Sequence, residues 1–148
     1  TDEEVALKVD AAFGVGLVPV VCVGEKLEER REGRLEDVLL RQLDAVLPGF
    51  SRAGEVEYLV AYEPVWAIGT GETATPEDAS EAHSLLRARL VETLGEGVGA
   101  GVPILYGGSV KPVNARELLE APHVNGVLVG GASLDPTSFG GIAEAGVG

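Results

Sequence analysis

The chain has 148 residues, of which 45% are hydrophobic and 24% charged, a balance typical of a globular protein with a buried core rather than a disordered tail. A net charge of −13 argues against nucleic acid as a partner, and no apolar run approaches the roughly 20 residues that span a bilayer. The single cysteine, Cys22, rules out an internal disulfide and fits a reducing compartment. We therefore expect a cytoplasmic protein that binds neither nucleic acid nor membrane.

The first half of the chain predicts a helix, a strand and a second helix. The first helix covers residues 2–13 and begins at Thr1, with Glu4 completing a capping box. A continuous apolar run predicts a buried strand at residues 17–23. A long amphipathic helix is predicted at residues 27–47, and the Pro-Gly pair that follows is expected to stop it.

The second half continues the alternation. Strands are predicted at residues 58–62, 103–106 and 126–129; helices are predicted from the Thr75 N-cap to about residue 94, at 114–119 and, weakly, in the glycine-rich tail at 139–148. This order is typical of an α/β fold with four parallel strands alternating with helices through right-handed crossovers. No segment has the composition of a linker, so we expect residues 1–148 to form a single domain.

Residues 61–71, which read AYEPVWAIGTG, place one carboxylate at the end of a predicted strand. Pro64 disfavours helix at Glu63 and removes a backbone donor, so the strand gives way to a loop at this point. Gly69 and Gly71 give that loop backbone freedom. A carboxylate beside a loop able to close over it suits a water-excluded general base.

Glycine-rich turns end the next two strands. They read YGGSV at residues 106–110 and LVGGAS at residues 128–133. Glycines let backbone N–H groups approach a phosphate without a Cβ in the way, and a helix N-terminus adds partial positive charge. Because the ends of parallel strands share one edge of a sheet, the two turns predict a phosphate site near Glu63.

Together these motifs resemble the triosephosphate isomerase family, whose active-site signature residues 61–71 match over eleven consecutive positions. The whole chain is similar to the C-terminal half of that family, which implies half of a (β/α)8 TIM barrel, strands five to eight. Since the sequence opens at a helix start, a half-barrel fragment is expected. The resemblance implies interconversion of glyceraldehyde 3-phosphate and dihydroxyacetone phosphate, in glycolysis and gluconeogenesis, with neither cofactor nor metal.

The resemblance also implies roles for individual residues. Glu63 is the catalytic base, Tyr106 latches the lid, and Cys22 and Glu25 support the site from the end of the first strand. The substrate phosphate is bound by Gly69, Ser109, Gly130 and Gly131. The lid runs from residue 64 to about residue 74 and includes Pro64, Val65, Trp66, Ala67, Ile68, Thr70 and Gly71.

Departures from the family limit these expectations. The family's lysine and histidine belong to the other half of the barrel, and neither His83, predicted on a solvated helix face, nor His123, in a loop, replaces the histidine. Glu72 stands where the family usually has lysine. We therefore expect the 148 residues to be inactive alone and to pair with an N-terminal half or with themselves.

Several alternatives stay open from the sequence. The chain is alternatively a non-catalytic, self-associating half-barrel with a structural or phosphate-binding role. Ser109 is alternatively a simple turn residue, and Lys111 either steers an anion or is merely solvated. Cys22 is expected to be a small core residue rather than a nucleophile.

Overall fold

The computed structural model describes residues 1–52, 57–68 and 72–147. Within these ranges the helices are α1 (Asp2–Gly14), α2 (Leu27–Arg31), α3 (Leu35–Arg52), α4 (Pro76–Leu94), α5 (Glu96–Gly99), α6 (Pro112–Glu120) and α7 (Pro136–Ala145). The strands are β1 (Val20–Val23), β2 (Leu59–Tyr62), β3 (Ile104–Tyr106) and β4 (Gly126–Val127), and two 3-10 helices cover Val65–Ala67 and Gly131–Leu134. None of these helices combines the length and apolar character needed to cross a membrane.

The four strands form one parallel sheet in the order β1-β2-β3-β4. Their register pairs Cys22 with Ala61, Ala61 with Leu105, and Leu105 with Gly126. All four carboxyl ends therefore lie at one edge, and the predicted α/β architecture of four parallel strands alternating with helices is confirmed.

The two faces of the sheet differ in burial. Side chains such as Val60, Tyr62 and Ile104 point towards the helices and are fully buried. On the opposite face Val20 is 43% exposed, and Leu59 and Leu105 are only partly buried. Since successive side chains of a strand alternate between faces, one face makes the core and the other presents apolar side chains to solvent.

The predicted single helix at residues 27–47 is wrong. The structure divides it into α2 and α3, with Gly33 between them in a left-handed conformation at φ 71°. The N–H of Gly33 donates to the carbonyl of Arg30, and that of Arg34 donates to the carbonyl of Glu29. These bonds satisfy the last carbonyls of α2, as glycine commonly does at a helix end.

The expected stop at Pro48 is also wrong, because α3 continues to Arg52. The extra turn buries Phe50, which is 3% exposed, and stacks its ring on Tyr58 with centroids 4.0 Å apart. Burying an aromatic ring outweighs the one backbone donor that proline lacks near the end of a helix.

The C-terminal tail is more regular than its glycine content predicts. Asp135 caps α7, since its Oδ1 accepts from the backbone N–H of Ser138 at 2.6 Å, and Ile142 is buried. The helix α5 was not predicted, and the strands are shorter than the apolar runs that contain them.

His83 is buried, contrary to the predicted solvated position. It lies on the inner face of α4, and its ring meets Tyr62 edge-on with centroids 5.9 Å apart. Its Nδ1 lies 3.2 Å from the carbonyl oxygen of His123, so the Nδ1–H donates there. Burial of the imidazole lowers the pKa of His83 to about 4.

The fold should therefore lose stability in mild acid through His83. Protonation is penalised in the folded state, so stability present above pH 6.5 falls as the pH drops towards 4. Replacing His83 by Asn keeps a donor for the His123 carbonyl and removes the titration. We expect wild type to lose roughly 2–3 kcal/mol more than His83→Asn between pH 7 and pH 4.5, measured by urea unfolding.

His123→Asn is the matched control for this experiment. It removes an exposed imidazole, and asparagine accepts the positive φ of 67° at that position. This variant should keep the wild-type pH dependence. Equal acid sensitivity of His83→Asn and wild type would contradict the assignment.

Candidate functional site

Glu63 lies at the carboxyl edge of the sheet, one residue beyond β2. Its N–H donates to the carbonyl of Val23 at 2.8 Å, and the N–H of Gly107 donates to the carbonyl of Tyr62 at 2.8 Å. Pairing therefore continues past the strand ends before Pro64 turns the chain away. The half-buried Glu63 side chain therefore projects from backbone that is still hydrogen-bonded to the neighbouring strand.

Glycine is required on both sides of Glu63. A Cβ at Gly107 would lie 2.5 Å from Cγ of Glu63, and a Cβ at Gly24 would collide with the Glu63 carbonyl oxygen. Gly24 is held in turn by Gln42 of α3, which accepts its N–H at 2.8 Å and donates to its carbonyl at 3.2 Å. No sequence pattern pointed to Gln42, whose partner is 18 residues away.

A cavity of about 330 Å³ opens at this edge. Glu63 and Ile68 line it together with the two predicted glycine turns; the turn residues are Gly107, Gly108, Ser109, Val110, Lys111, Leu128, Val129, Gly130, Gly131 and Ala132. The structure thus brings Glu63, Ser109, Gly130 and Gly131 to one cavity. Gly69, predicted to join them, lies outside the described residues.

The turn after β3 is braced by Asn114, which the sequence analysis did not identify. Asn114 donates from Nδ2 to the carbonyl of Ser109 at 3.0 Å, and its Oδ1 accepts from the N–H of Lys111 at 2.7 Å. The Ser109 hydroxyl donates to the carbonyl of Ala67 at 3.0 Å. Ser109 therefore connects this turn to the loop that follows Glu63.

Glu25 anchors the beginning of that loop. Its carboxylate is fully buried, and Oε1 accepts from the indole N–H of Trp66 at 2.7 Å and from the Tyr62 hydroxyl at 3.1 Å. The Glu25 carbonyl also accepts from the N–H of Val65 at 3.0 Å. The predicted lid residues 64–68 are held here, whereas Thr70 and Gly71 lie outside the described residues.

Tyr106, the predicted latch, is fully buried near the other end of the same loop. Its hydroxyl lies beside the backbone of Ala74 without completing a hydrogen bond, and a Cβ at Gly108 would collide with it. Burial outweighs the contact with Ala74 and raises the pKa of Tyr106 to about 12.

Cys22 is exposed, so its predicted place in the core is wrong. Its position in β1 points it to the open face of the sheet, next to Glu63. Partial burial and then the charge of Glu63 raise the pKa of the thiol to about 11. The thiol is therefore protonated at neutral pH, and its titration reports on the neighbouring carboxylate.

Comparison with known proteins gives consistent matches. A family sequence model described as "Triosephosphate isomerase" matches residues 1–146. Triosephosphate isomerase of Alkalilimnicola ehrlichii is 58% identical over 142 residues, covering 94% of this chain and 55% of that protein. The counterpart of Solibacter usitatus is 50% identical over 144 residues, covering 97% of this chain and 58% of that protein.

A solved structure agrees with the sequence relatives. The crystal structure of triosephosphate isomerase from Bartonella henselae superposes with a TM-score of 0.85 at 43% identity, covering 98% of this chain and 56% of that one. The chain therefore spans about half the length of the curated relatives that it matches.

Replacing Glu63 by Gln should lower the pKa of Cys22. The substitution removes the nearby negative charge, while the contribution of burial remains, so the pKa should fall from about 11 without reaching that of a free thiol. Because Cys22 is the single cysteine, its alkylation rate as a function of pH measures this directly. Glu77→Gln, at an exposed position on α4, is the control with the same loss of charge; an equal shift in both variants would show that the effect is not local.

Proposed function

Because the chain belongs to the triosephosphate isomerase family, we propose that it carries one half of a site that interconverts glyceraldehyde 3-phosphate and dihydroxyacetone phosphate. The observation that supports this most directly is the shared cavity. Its walls combine a carboxylate, suited to proton transfer, with two glycine turns, suited to a phosphate.

The glycines of the second turn favour a ligand over a purely structural role. A Cβ built at Gly130 or Gly131 would meet no atom within 4 Å, so the packing of the described residues does not demand glycine at either position. Gly131 also begins a 3-10 helix. An anion approaching this turn meets backbone N–H groups without a side chain in the way.

In the proposed reaction Glu63 is the base that moves a proton between adjacent carbons of the triose phosphate. The phosphate is held by Gly69, Ser109, Gly130 and Gly131 through backbone N–H groups. Residues 64–74 form the lid over the reacting carbons, and Tyr106 latches it beside Ala74. Excluding water protects the ene-diolate intermediate from losing its phosphate.

The 148 residues alone are proposed to be inactive. The family's lysine, which supplies charge for the substrate, and its histidine, which polarises the carbonyl oxygen, come from the other half of the barrel. His83 and His123 do not replace the histidine, because neither lines the described cavity. Electrostatic stabilisation of the transition state is usually the largest contribution to catalysis. Without the lysine and histidine, the charge that develops on the substrate when Glu63 removes a proton would not be stabilised.

The open face of the sheet indicates what completes the site. Val20 and Leu59 present apolar surface, and β1 and β4 are free edges among the described strands. Four parallel strands do not close a barrel, and exposed edges favour pairing with further strands. We propose an N-terminal half of the same barrel as the partner, in the cytoplasm and in glycolysis or gluconeogenesis.

Activity should appear only when both halves are present. The test measures isomerisation of glyceraldehyde 3-phosphate by this chain, by a separately produced N-terminal half, and by their mixture. We expect activity in the mixture alone and its loss with Glu63→Gln, because the base and the electrophile then come from different chains. Glu77→Gln should remain active in the same assay.

Two outcomes would contradict this account. Activity of the chain alone would show that it needs no lysine or histidine from elsewhere. A mixture that forms a stable complex yet remains inactive would favour the second candidate function, a non-catalytic structural or phosphate-binding half-barrel.

Without an N-terminal half, the chain should associate with itself through the open face. Val20→Asp places a charge on that face and should shift the chain towards monomer in light scattering coupled to size-exclusion chromatography. Val113→Asp is the control, since Val113 is 88% exposed and belongs to α6 rather than to the sheet. A wild-type chain that is a compact, cooperatively melting monomer would oppose this prediction.

A further inference from the structure

The segment at residues 25–30 contacts both ends of the loop between β2 and α4. At the first end, Glu25 accepts from the indole of Trp66 at 2.7 Å and from the backbone of Val65 at 3.0 Å. At the second end, Arg30 of α2 reaches the first turn of α4. The two contacts come from one short stretch of chain, although Trp66 and Asp78, which they hold, are 12 positions apart.

The two carboxylate oxygens of Asp78 bind different partners, one the N-cap residue Thr75 and the other Arg30. Its Oδ2 accepts from the backbone N–H of Thr75 at 2.9 Å and from the Thr75 hydroxyl at 3.1 Å. Its Oδ1 accepts from Nη2 of Arg30 at 2.5 Å. Burial opposes ionisation, yet the bonds from Thr75 and the charge of Arg30 hold the pKa of Asp78 below its usual value. The start of α4 is thus tied to α2 through a charged carboxylate.

Arg30 is more than a surface ion-pair residue. Its side chain is only 20% exposed, and Nη2 also donates to Glu81 at 2.9 Å, one turn further along α4. One guanidinium nitrogen therefore bridges two carboxylates of α4, and hydrogen bonds between ionised groups are stronger than those between neutral ones. Removing the guanidinium would leave the carboxylates of Asp78 and Glu81 without the positive charge that lies between them.

Glu25 and Arg30 also share a buried neighbour. The Tyr62 hydroxyl donates to Oε1 of Glu25 at 3.1 Å and feels the charge of both residues. Oε2 of Glu25 and Nη1 of Arg30 are buried without a hydrogen-bond partner. A buried polar group that makes fewer hydrogen bonds than it could is costly to bury, so the loss of one of its remaining bonds is strongly unfavourable. Movement of residues 25–30 would therefore reach the contacts at both ends of the loop.

We propose that Arg30 is a positioning residue that couples the two ends of the β2–α4 loop, holding Thr75 and the start of α4 in register with Trp66 and hence with Glu63. This role rests on the proposed function, because the loop matters through its neighbour Glu63. Arg30 touches no substrate in this scheme; it acts through Asp78.

The test uses two readouts, one at each end of the loop. Trp66 is the only tryptophan, so acrylamide quenching of its fluorescence reports the first end, and amide hydrogen exchange at Thr75 reports the second. Arg30→Gln should increase both signals by about twofold to fivefold, the change that loss of a partly exposed ion pair produces in a local opening equilibrium. A purely structural role in anchoring α4 would change only the Thr75 exchange.

Matched variants separate coupling from general destabilisation. Arg89→Gln removes a comparable ion pair, since Arg89 binds Asp44 at 2.7 Å and is 31% exposed, but it links α4 to α3 away from the loop. It should leave both readouts unchanged. Asp78→Asn should reproduce the effect of Arg30→Gln. Arg30→Lys should change both signals less than Arg30→Gln does, because the charge remains while the planar guanidinium is lost.

The outcomes are decisive even when one variant fails. If Arg30→Gln does not fold, Arg30→Lys and Asp78→Asn carry the same test. Unchanged Trp66 quenching in a folded Arg30→Gln or Asp78→Asn variant overturns the proposal. Failure of the wild-type mixture to isomerise the triose phosphate counts against the proposed function, whereas the Trp66 and Thr75 readouts decide the coupling independently.

Discussion

Two backbone hydrogen bonds beyond the strand ends, from Glu63 to Val23 and from Gly107 to Tyr62, set the position of everything else at the carboxyl edge. They keep the parallel register for one more residue before the loops begin. Glu63 then lies directly against Gly107, where a Cβ would come within 2.5 Å of its Cγ. A side chain at Gly107 or at Gly24 would therefore collide with Glu63 and force it to shift.

One face of the sheet is covered by helices and the other is the open face. Both follow from the alternation of side chains along each strand. Val60 and Tyr62 belong to a core built with α3 and α4, whereas Val20 and Cys22 face outwards. The cavity beside Glu63 lies at the carboxyl edge of the same sheet. Under the proposed function, a single N-terminal half would therefore cover the open face and complete the site at the same time.

Several buried polar groups near the candidate site lack hydrogen-bond partners, which lowers the stability of the fold. Among the described residues, the buried polar atoms without a hydrogen-bond partner are Oε2 of Glu25, Nη1 of Arg30, Nε2 of His83 and the hydroxyl of Tyr106. Each such group costs about 1–3 kcal/mol. Glu25 and Tyr106 adjoin the loop after Glu63, and Arg30 binds the helix start that follows it.

Much of the fold and site was predictable because it depends on local chemistry. The Pro64 strand end, the glycine turns and the Thr75 cap each act within a few residues, and they located Glu63, Ser109, Gly130 and Gly131 at strand ends. Most of the predictions that failed concerned packing between elements; the exception is the helix break at Gly33, which is local. Phe50 carries α3 past Pro48 by stacking on Tyr58, which lies outside the helix, and His83 is buried because its partners lie on other elements.

The sequence by itself determined the alternation of elements, the parallel sheet and the residue types at its carboxyl edge, since periodicity, turn chemistry and capping are encoded over short distances. Only the tertiary structure decided that Gln42 holds Gly24, that Asn114 braces the Ser109 turn, and that Arg30 meets Asp78 across 48 positions of chain. Such contacts depend on how helices pack on a shared sheet, and packing joins residues whose separation along the chain carries no pattern.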